Sequence, residues 1–310
     1  MRVLVTGASG MVGKAVQEKA SHSSDSTFYF TRSRESDLTN RDQTFALLEK
    51  IRPNAIIHLA AKVGGVKGNT DYIAEYYTEN IRMNTNILEG AHRTGVEKVV
   101  SLLSTCVYPD KVVYPLTEGQ IHAGEPHSSN FGYAYAKRML DVQSRAYRQQ
   151  YGHNFITAVP NNLFGENDNY HLEDSHVIPA ITRKMYEAQQ RNTEVVLWGD
   201  GAPLREFTYS ADIAHALLIL LQYYDSPEPI NIGNTNEISI KEVAEKIAEK
   251  IGFTGEIVWQ PAMPSGQHRK PSSNERFQSL FNMKYTDFDE ALTNTCKWFT
   301  MNYPNVRGVA

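Results

Sequence analysis

The glycine spacing Gly7-Ala8-Ser9-Gly10-Met11-Val12-Gly13 constrains this chain more than any other stretch. It follows the apolar run Val3-Leu4-Val5 directly and opens a helical pattern over 11–20. A strand that turns into a helix within a few residues needs glycine for a tight turn, for backbone approach to a phosphate, and for close helix–strand packing. A triplet at that junction predicts a dinucleotide site, with a pyrophosphate at the positive end of the first helix.

The alternation continues along the first half. Strand patterns at 27–30, 55–60, 98–103 and 155–159 are separated by helical patterns at 43–51, 73–94 and 133–151. Pro53, Gly95 and Gly152 stop those helices. This order predicts an α/β fold built on a Rossmann-type doubly wound parallel sheet, with ligands beyond the carboxyl ends of the strands. After Pro160 the rhythm loosens. Residues 161–175 read as a polar loop, 176–191, 212–224 and 241–251 as helices, and 194–198 and 229–232 as strands. We therefore expect a cofactor domain over 1–162, with a return segment at 206–225. A smaller C-terminal α/β substrate lobe is expected over 163–310, ending in a frayed tail at 307–310.

Composition excludes several classes. The 310 residues are 41% hydrophobic and 21% charged, with a net charge of −4, which offers no electrostatic case for a nucleic-acid or membrane partner. No apolar run approaches the roughly eighteen residues of a membrane span. Two cysteines, Cys106 and Cys296, do not make a disulfide framework. With a strand starting at once after Met1, they predict a reducing, cytoplasmic setting. No spacing of ligating residues points to a metal.

Tyr133 and Lys137 stand four residues apart on one helix face. The ammonium is expected to lower the phenol's pKa from about 10, making Tyr133 a proton donor to an oxygen formed from a carbonyl. Ser104, upstream, can hydrogen-bond the same oxygen. A thiol contributes nothing to hydride transfer, so Cys106, two residues beyond Ser104, suggests that protons on carbon also move here. At the second strand's end there is no acid for a ribose 2′-hydroxyl; Thr31-Arg32-Ser33-Arg34 follows instead. Two guanidinium groups suit a 2′-phosphate, so the expected cofactor is NADPH, with Arg32 and Arg34 on that phosphate and Asp37-Leu38 framing the adenine.

The glycine loop, the serine and Tyr-x-x-x-Lys together resemble the extended short-chain dehydrogenase/reductase family. Further stretches narrow the resemblance to its GDP-L-fucose synthase branch: Ala60-Ala61-Lys62-Val63-Gly64-Gly65, Ser104-Thr105-Cys106-Val107-Tyr108-Pro109, Asn161-Asn162-Leu163-Phe164-Gly165, Ser175-His176-Val177-Ile178-Pro179-Ala180, Val196-Leu197-Trp198-Gly199 and Arg205-Glu206-Phe207. The resemblance covers nearly the whole chain. It implies 3,5-epimerisation and NADPH-dependent 4-reduction of GDP-4-keto-6-deoxy-D-mannose. Cys106 would be the base and His176 the acid at C3 and C5, both exchanging protons near neutral pH. Alongside the glycine loop, it implies that Met11, Val12, Ala60, Pro160, Asn162, Leu163 and His176 line the NADP.

For the GDP-sugar it implies Arg183 and Arg205 on the diphosphate, Lys184 and Arg269 as further cations, and Asn162 at the sugar. Trp198 would be a shelf for the nucleotide or a plug of the lobe's core. It also implies a homodimer through the helices at 73–94 and 133–151. Two departures stand out. Bacterial members carry an arginine where this chain has Ser9, which leaves phosphate recognition to Arg32 and Arg34. The acidic segment expected before the C-terminal basic pair is replaced by Trp259-Gln260-Pro261-Ala262 leading into Gly266-Gln267-His268-Arg269-Lys270.

The competing enzyme reading is another NADP-dependent extended nucleotide-sugar reductase or epimerase. Against a dehydratase, positions 105–107 lack an Asp-Glu pair; against a 4-epimerase stand the thiol and the two arginines. A non-catalytic NADPH-binding regulator would need a broken triad, and Ser104, Tyr133 and Lys137 are all present.

Overall fold

The computed structural model describes residues 1–21, 26–263 and 268–309. The first half runs β1 (Arg2–Thr6), α1 (Met11–Ala20), β2 (Thr27–Phe30), α2 (Arg41–Ile51), β3 (Ala55–His58), α3 (Val66–Asp71), α4 (Ile73–Arg93), β4 (Lys98–Leu102), α5 (Phe131–Tyr151) and β5 (Asn154–Val159). The second half runs β6 (Asn162–Phe164), α6 (Val177–Arg191), β7 (Val195–Trp198), β8 (Leu204–Tyr209), α7 (Ser210–Tyr223), β9 (Ile230–Asn231), β10 (Glu237–Ser239), α8 (Ile240–Ile251), β11 (Ile257–Gln260), α9 (Glu275–Phe281) and α10 (Phe288–Asn302).

The main sheet has the order β2-β1-β3-β4-β5-β9, and every pairing in it is parallel. Its central strands are covered on both faces, so β3 and β4 are buried along all but Lys98 and lack a polar–apolar alternation. One face packs on α1 and α7 through Val16, Ile213, Leu217 and Leu220. The other packs on α2, α4 and α5 through Leu48, Ile87, Leu88 and Leu140. β1 has β2 on one side and β3 on the other, so the crevice opens between β1 and β3 at their carboxyl ends. The expected α/β sheet is therefore present.

The smaller lobe holds two short sheets, β10-β8-β6 and β11-β7. Its core gathers Phe164, Ile181, Met185, Leu197, Val243, Ile247, Leu292 and Cys296 around α6, α8 and α10. Local sequence sets α8 firmly. Ser239 accepts from Glu242 N at 3.1 Å, Glu242 Oε2 accepts from Ser239 N at 3.0 Å, and Gly252 at φ +71° closes the other end. α7 returns to the first sheet and β9 pairs with its edge strand β5.

Two expectations for the second half need correcting. The polar stretch read as a loop contains β6, whose partner strand β8 supplies the ladder from across the lobe. The C-terminal tail is docked rather than frayed: Tyr170 N donates to the Arg307 carbonyl at 2.8 Å, and Arg183 Nη1 donates to the Gly308 carbonyl at 2.8 Å.

Candidate active site

The carboxyl ends of β1 to β5 open into a cleft of about 730 Å³. The glycine loop forms its floor. Gly7 has φ +68°, and a Cβ there would lie 2.7 Å from Ala60 N. At Gly13 a Cβ would lie 2.4 Å from the Gly7 carbonyl. Helix α1 starts above this loop with Gly10 as cap, no side-chain cap and no acid in its first turn, so its first N–H groups face the cleft free. The residues fit a dinucleotide phosphate. Arg32 and Ser33 line the cleft beyond β2.

Every residue expected along the cofactor lines this cleft except Arg34. Arg34 is exposed outside the lining, because the chain turns at 33–35 and carries it outward. Asp37 lines the cleft while its carboxylate accepts from Thr39 N and Oγ1 at 2.9 and 2.8 Å.

Behind the floor, one hydrogen-bond chain fixes α5 to the sheet. Thr6 Oγ1 accepts from Leu59 N and Ala60 N, both at 3.1 Å. Its hydroxyl therefore donates to His58 Nδ1 at 2.9 Å, His58 Nε2–H donates to Asn84 Oδ1 at 3.1 Å, and Asn84 Nδ2 donates to the Ala136 carbonyl of α5 at 3.3 Å. Burial holds His58 neutral, pushed down to about 4. The Tyr133-Lys137 pair thus sits on a helix tied through α4 to the ends of β1 and β3.

Ser104, Tyr133 and Lys137 line the cleft together. Lys137 Nζ donates to the Leu102 carbonyl at 2.8 Å and lies 5.9 Å from the Tyr133 ring centre. Burial pushes Lys137 down to about 8. The expected lowering of the Tyr133 pKa is not what this environment does: burial pushes the phenol well above its usual value. The ammonium is itself desolvated and engaged with a carbonyl, so desolvation of the phenolate outweighs it.

Cys106 sits in the short turn Thr105–Val107, with its backbone N donating to Ser104 Oγ at 3.4 Å. It is buried behind Ser104 and Thr105 rather than in the cleft lining. Burial raises its pKa, while Ser104, Lys270, Lys137 and Arg138 pull it back. His176 caps α6 at the opposite wall. It is open to solvent across the cleft, yet deep enough that desolvation lowers its pKa. Neither group is thus poised at neutral pH, because both charged forms lose hydration here.

A second chamber of about 260 Å³ adjoins the first, sharing Asn162, Leu163, Ser175 and His176 and adding Arg205 and Phe207. Of the remaining expected substrate contacts, Arg183 is turned away from both chambers. It pairs with Glu187 at 2.7 Å and donates to the Tyr170 and Gly308 carbonyls. Lys184, next to it, points elsewhere, with Nζ 3.4 Å from the Val196 carbonyl and 5.9 Å over the Trp198 ring. Trp198 is 57% exposed, which removes the core-plug reading. Arg269 is exposed and pairs with Glu237 at 2.8 Å. Gly266, in the segment before it, lies outside the described residues.

Sequence reasoning missed Lys270, Asp168 and Arg307. Lys270 turns inward beside the exposed Arg269, is desolvated, and lies in the fields of Cys106 and Arg205. Alternation along the extended chain could have flagged one of the two basic residues as inward-facing, though not which. Asp168 is 6% exposed and lines the cleft with Arg307.

The sequence profile described as the NAD dependent epimerase/dehydratase family matches residues 3–233. A GDP-L-fucose synthase of Dictyostelium discoideum is 43% identical over 98% of this chain and 97% of its own length. That of Escherichia coli K12 is 31% identical over 99% of each. The crystal structure of a GDP-L-fucose synthetase from Naegleria fowleri bound to NADP superposes with a TM-score of 0.94 at 42% identity, over 99% of this chain and 94% of that one. The floor, the Ser-Tyr-Lys wall and the nearby Cys106 and His176 thus sit in a chain that matches such proteins over 97–99% of its length. It belongs to the NAD dependent epimerase/dehydratase family and, within it, to the GDP-L-fucose synthases.

Proposed function

We propose that the chain is an NADP-dependent enzyme that converts GDP-4-keto-6-deoxy-D-mannose to GDP-L-fucose, by epimerisation at C3 and C5 and then reduction at C4. The observation that carries this reading is the placement of Cys106 and His176 around one Ser104-Tyr133-Lys137 wall, a set that serves both proton exchange at carbon and carbonyl reduction. The 4-keto group acidifies the hydrogens at C3 and C5, so epimerisation precedes reduction. Cys106 takes those protons and His176 returns them on the other face. Bound NADPH supplies the hydride at C4. Tyr133, kept protonated by burial, delivers the proton to the C4 oxygen, which Ser104 also holds. Lys137 holds the α5 pair against the end of β4.

For the GDP moiety, the second chamber offers Arg205; outside its lining, Lys184 and the exposed face of Trp198 supply a cation beside a shelf. Arg183→Ala is expected to cost about 3 kcal/mol of stability, because it strips the half-buried Glu187 of its shortest ion pair, leaving it Tyr303 and Arg191, and leaves the Tyr170 and Gly308 carbonyls without this donor. It should leave KM for the sugar nucleotide within about twofold, whereas Lys184→Ala raises that KM about tenfold with stability kept. Denaturation midpoints and steady-state kinetics on the two variants check the assignment, and the reverse pattern would contradict it.

The pH profile follows from the site. Epimerisation needs the thiolate and the imidazolium together. Burial lifts Cys106 above 9.0 and lowers His176 below 6.5. Between those values the thiolate fraction rises with pH as fast as the imidazolium fraction falls, so their product is constant. The epimerisation rate is expected to be flat from pH 6.5 to 9. A tenfold rise per pH unit would show that the thiolate alone limits it.

Tyr77, Val142 and Tyr151 are exposed on α4 and α5, which supports a homodimer through those helices. Sedimentation at the 35.0 kDa monomer mass would refute it. The free, buried Cys106 and Cys296 support a reducing, cytoplasmic location, which fractionation tests. The direct test of function is incubation with NADPH and GDP-4-keto-6-deoxy-D-mannose; recovery of GDP-L-fucose is expected, and unchanged ketone contradicts it.

A further inference from the structure

The end of the chain is built into the cofactor cleft. Besides the two backbone tethers on Arg307 and Gly308, Gly308 at φ +87° packs so closely that a Cβ would lie 2.3 Å from Asn169 Oδ1 and 2.4 Å from His171 N. Val306 is buried with Tyr170 and Phe299. These contacts use the backbone of residues 307 and 308 and leave the Arg307 side chain exposed in the cleft beside Asp168 and Asn169.

Four Lys and Arg side chains among the described residues line this cleft: Arg32, Lys62, Lys137 and Arg307. Lys137 is held by the Leu102 carbonyl, and Lys62 pairs with Glu79 at 2.6 Å. Arg32 stands beyond β2, the end that suits a 2′-phosphate. Arg307 is left, with no hydrogen bond or ion pair to another described residue, in the field of the buried Asp168. Asp168 Oδ1 accepts from Asn169 N at 2.7 Å and its Oδ2 has no hydrogen-bond partner among the described residues.

The loop that carries Asp168 also carries Glu166, which accepts from Tyr209 Oη at 2.6 Å. Tyr209 caps α7, and α7 packs along α1. Arg307 lines the same cleft as the glycine loop and the start of α1, where the helix N-terminus and the uncharged Ser9 offer a pyrophosphate backbone donors but no full positive charge.

The geometry points to Arg307 as a ligand of the cofactor's pyrophosphate, a cation lent by the C-terminal segment to a glycine loop that has none. This rests on the NADPH binding proposed above. A pyrophosphate is common to NADPH and NADH, while a 2′-phosphate belongs to NADPH alone, so the two cofactors locate the contact. We would titrate wild type, Arg307→Gln and Arg32→Gln with each cofactor by protein fluorescence at fixed salt. Arg307→Gln is expected to weaken both about tenfold, the loss of one charge-assisted contact, and to keep the wild-type melting temperature. Arg32→Gln is expected to weaken NADPH only. If Arg307→Gln weakens NADPH alone, or neither cofactor, the assignment is overturned. Wild type that binds neither would overturn the NADPH reading itself.

Discussion

Tyr133→Phe is expected to lower carbonyl reduction by about 10²- to 10⁴-fold, the usual weight of a positioned proton donor. The ring is 9% exposed and packs with Leu140 and Tyr76 in the core below α5, and Phe keeps that packing. The hydroxyl makes no hydrogen bond to another described residue and faces the cleft, so its removal leaves no buried partner stranded. Stability should therefore change by less than about 1 kcal/mol while NADPH consumption collapses. Proton exchange at C3 and C5 should survive, because Cys106 and His176 do not depend on that hydroxyl. A variant that keeps reduction within tenfold of wild type would place the proton donor elsewhere.

The features read most directly from sequence are those whose geometry is local. The glycine loop, the Tyr133-Lys137 pair and the α8 caps each depend on residues a few positions apart, where backbone geometry dictates the contact. What is not legible in the sequence depends on distant partners. Which way Arg183 points is decided by Glu187 and by a carbonyl at the far end of the chain. Arg269 points outward because Glu237 on β10 takes it, which turns Lys270 in.

The docked tail carries no periodic pattern, since its order comes from backbone hydrogen bonds to Tyr170 and Arg183. The protonation states of Tyr133, Cys106 and His176 depart from those expected of their residue types for a shared reason: residue type sets the starting pKa, but depth in the folded protein sets the shift.

The second large effect concerns Cys106, and it separates a two-step enzyme from a plain reductase. The thiol is buried beside the cleft in the fields of Lys270, Lys137 and Arg138, which lower the cost of its thiolate. A serine in its place keeps the volume nearly unchanged, but its alkoxide is far less accessible than a thiolate. Epimerisation should then fall by about 10²-fold or more while the Ser104-Tyr133-Lys137 wall is untouched. The measurement is Cys106→Ser with NADPH and GDP-4-keto-6-deoxy-D-mannose in deuterated water, reading deuterium at C3 and C5 of the recovered sugar by NMR. We predict that exchange is lost while the ketone is still reduced, giving a D-configured 6-deoxy sugar. Exchange and L-fucose formation at wild-type rates would contradict the account.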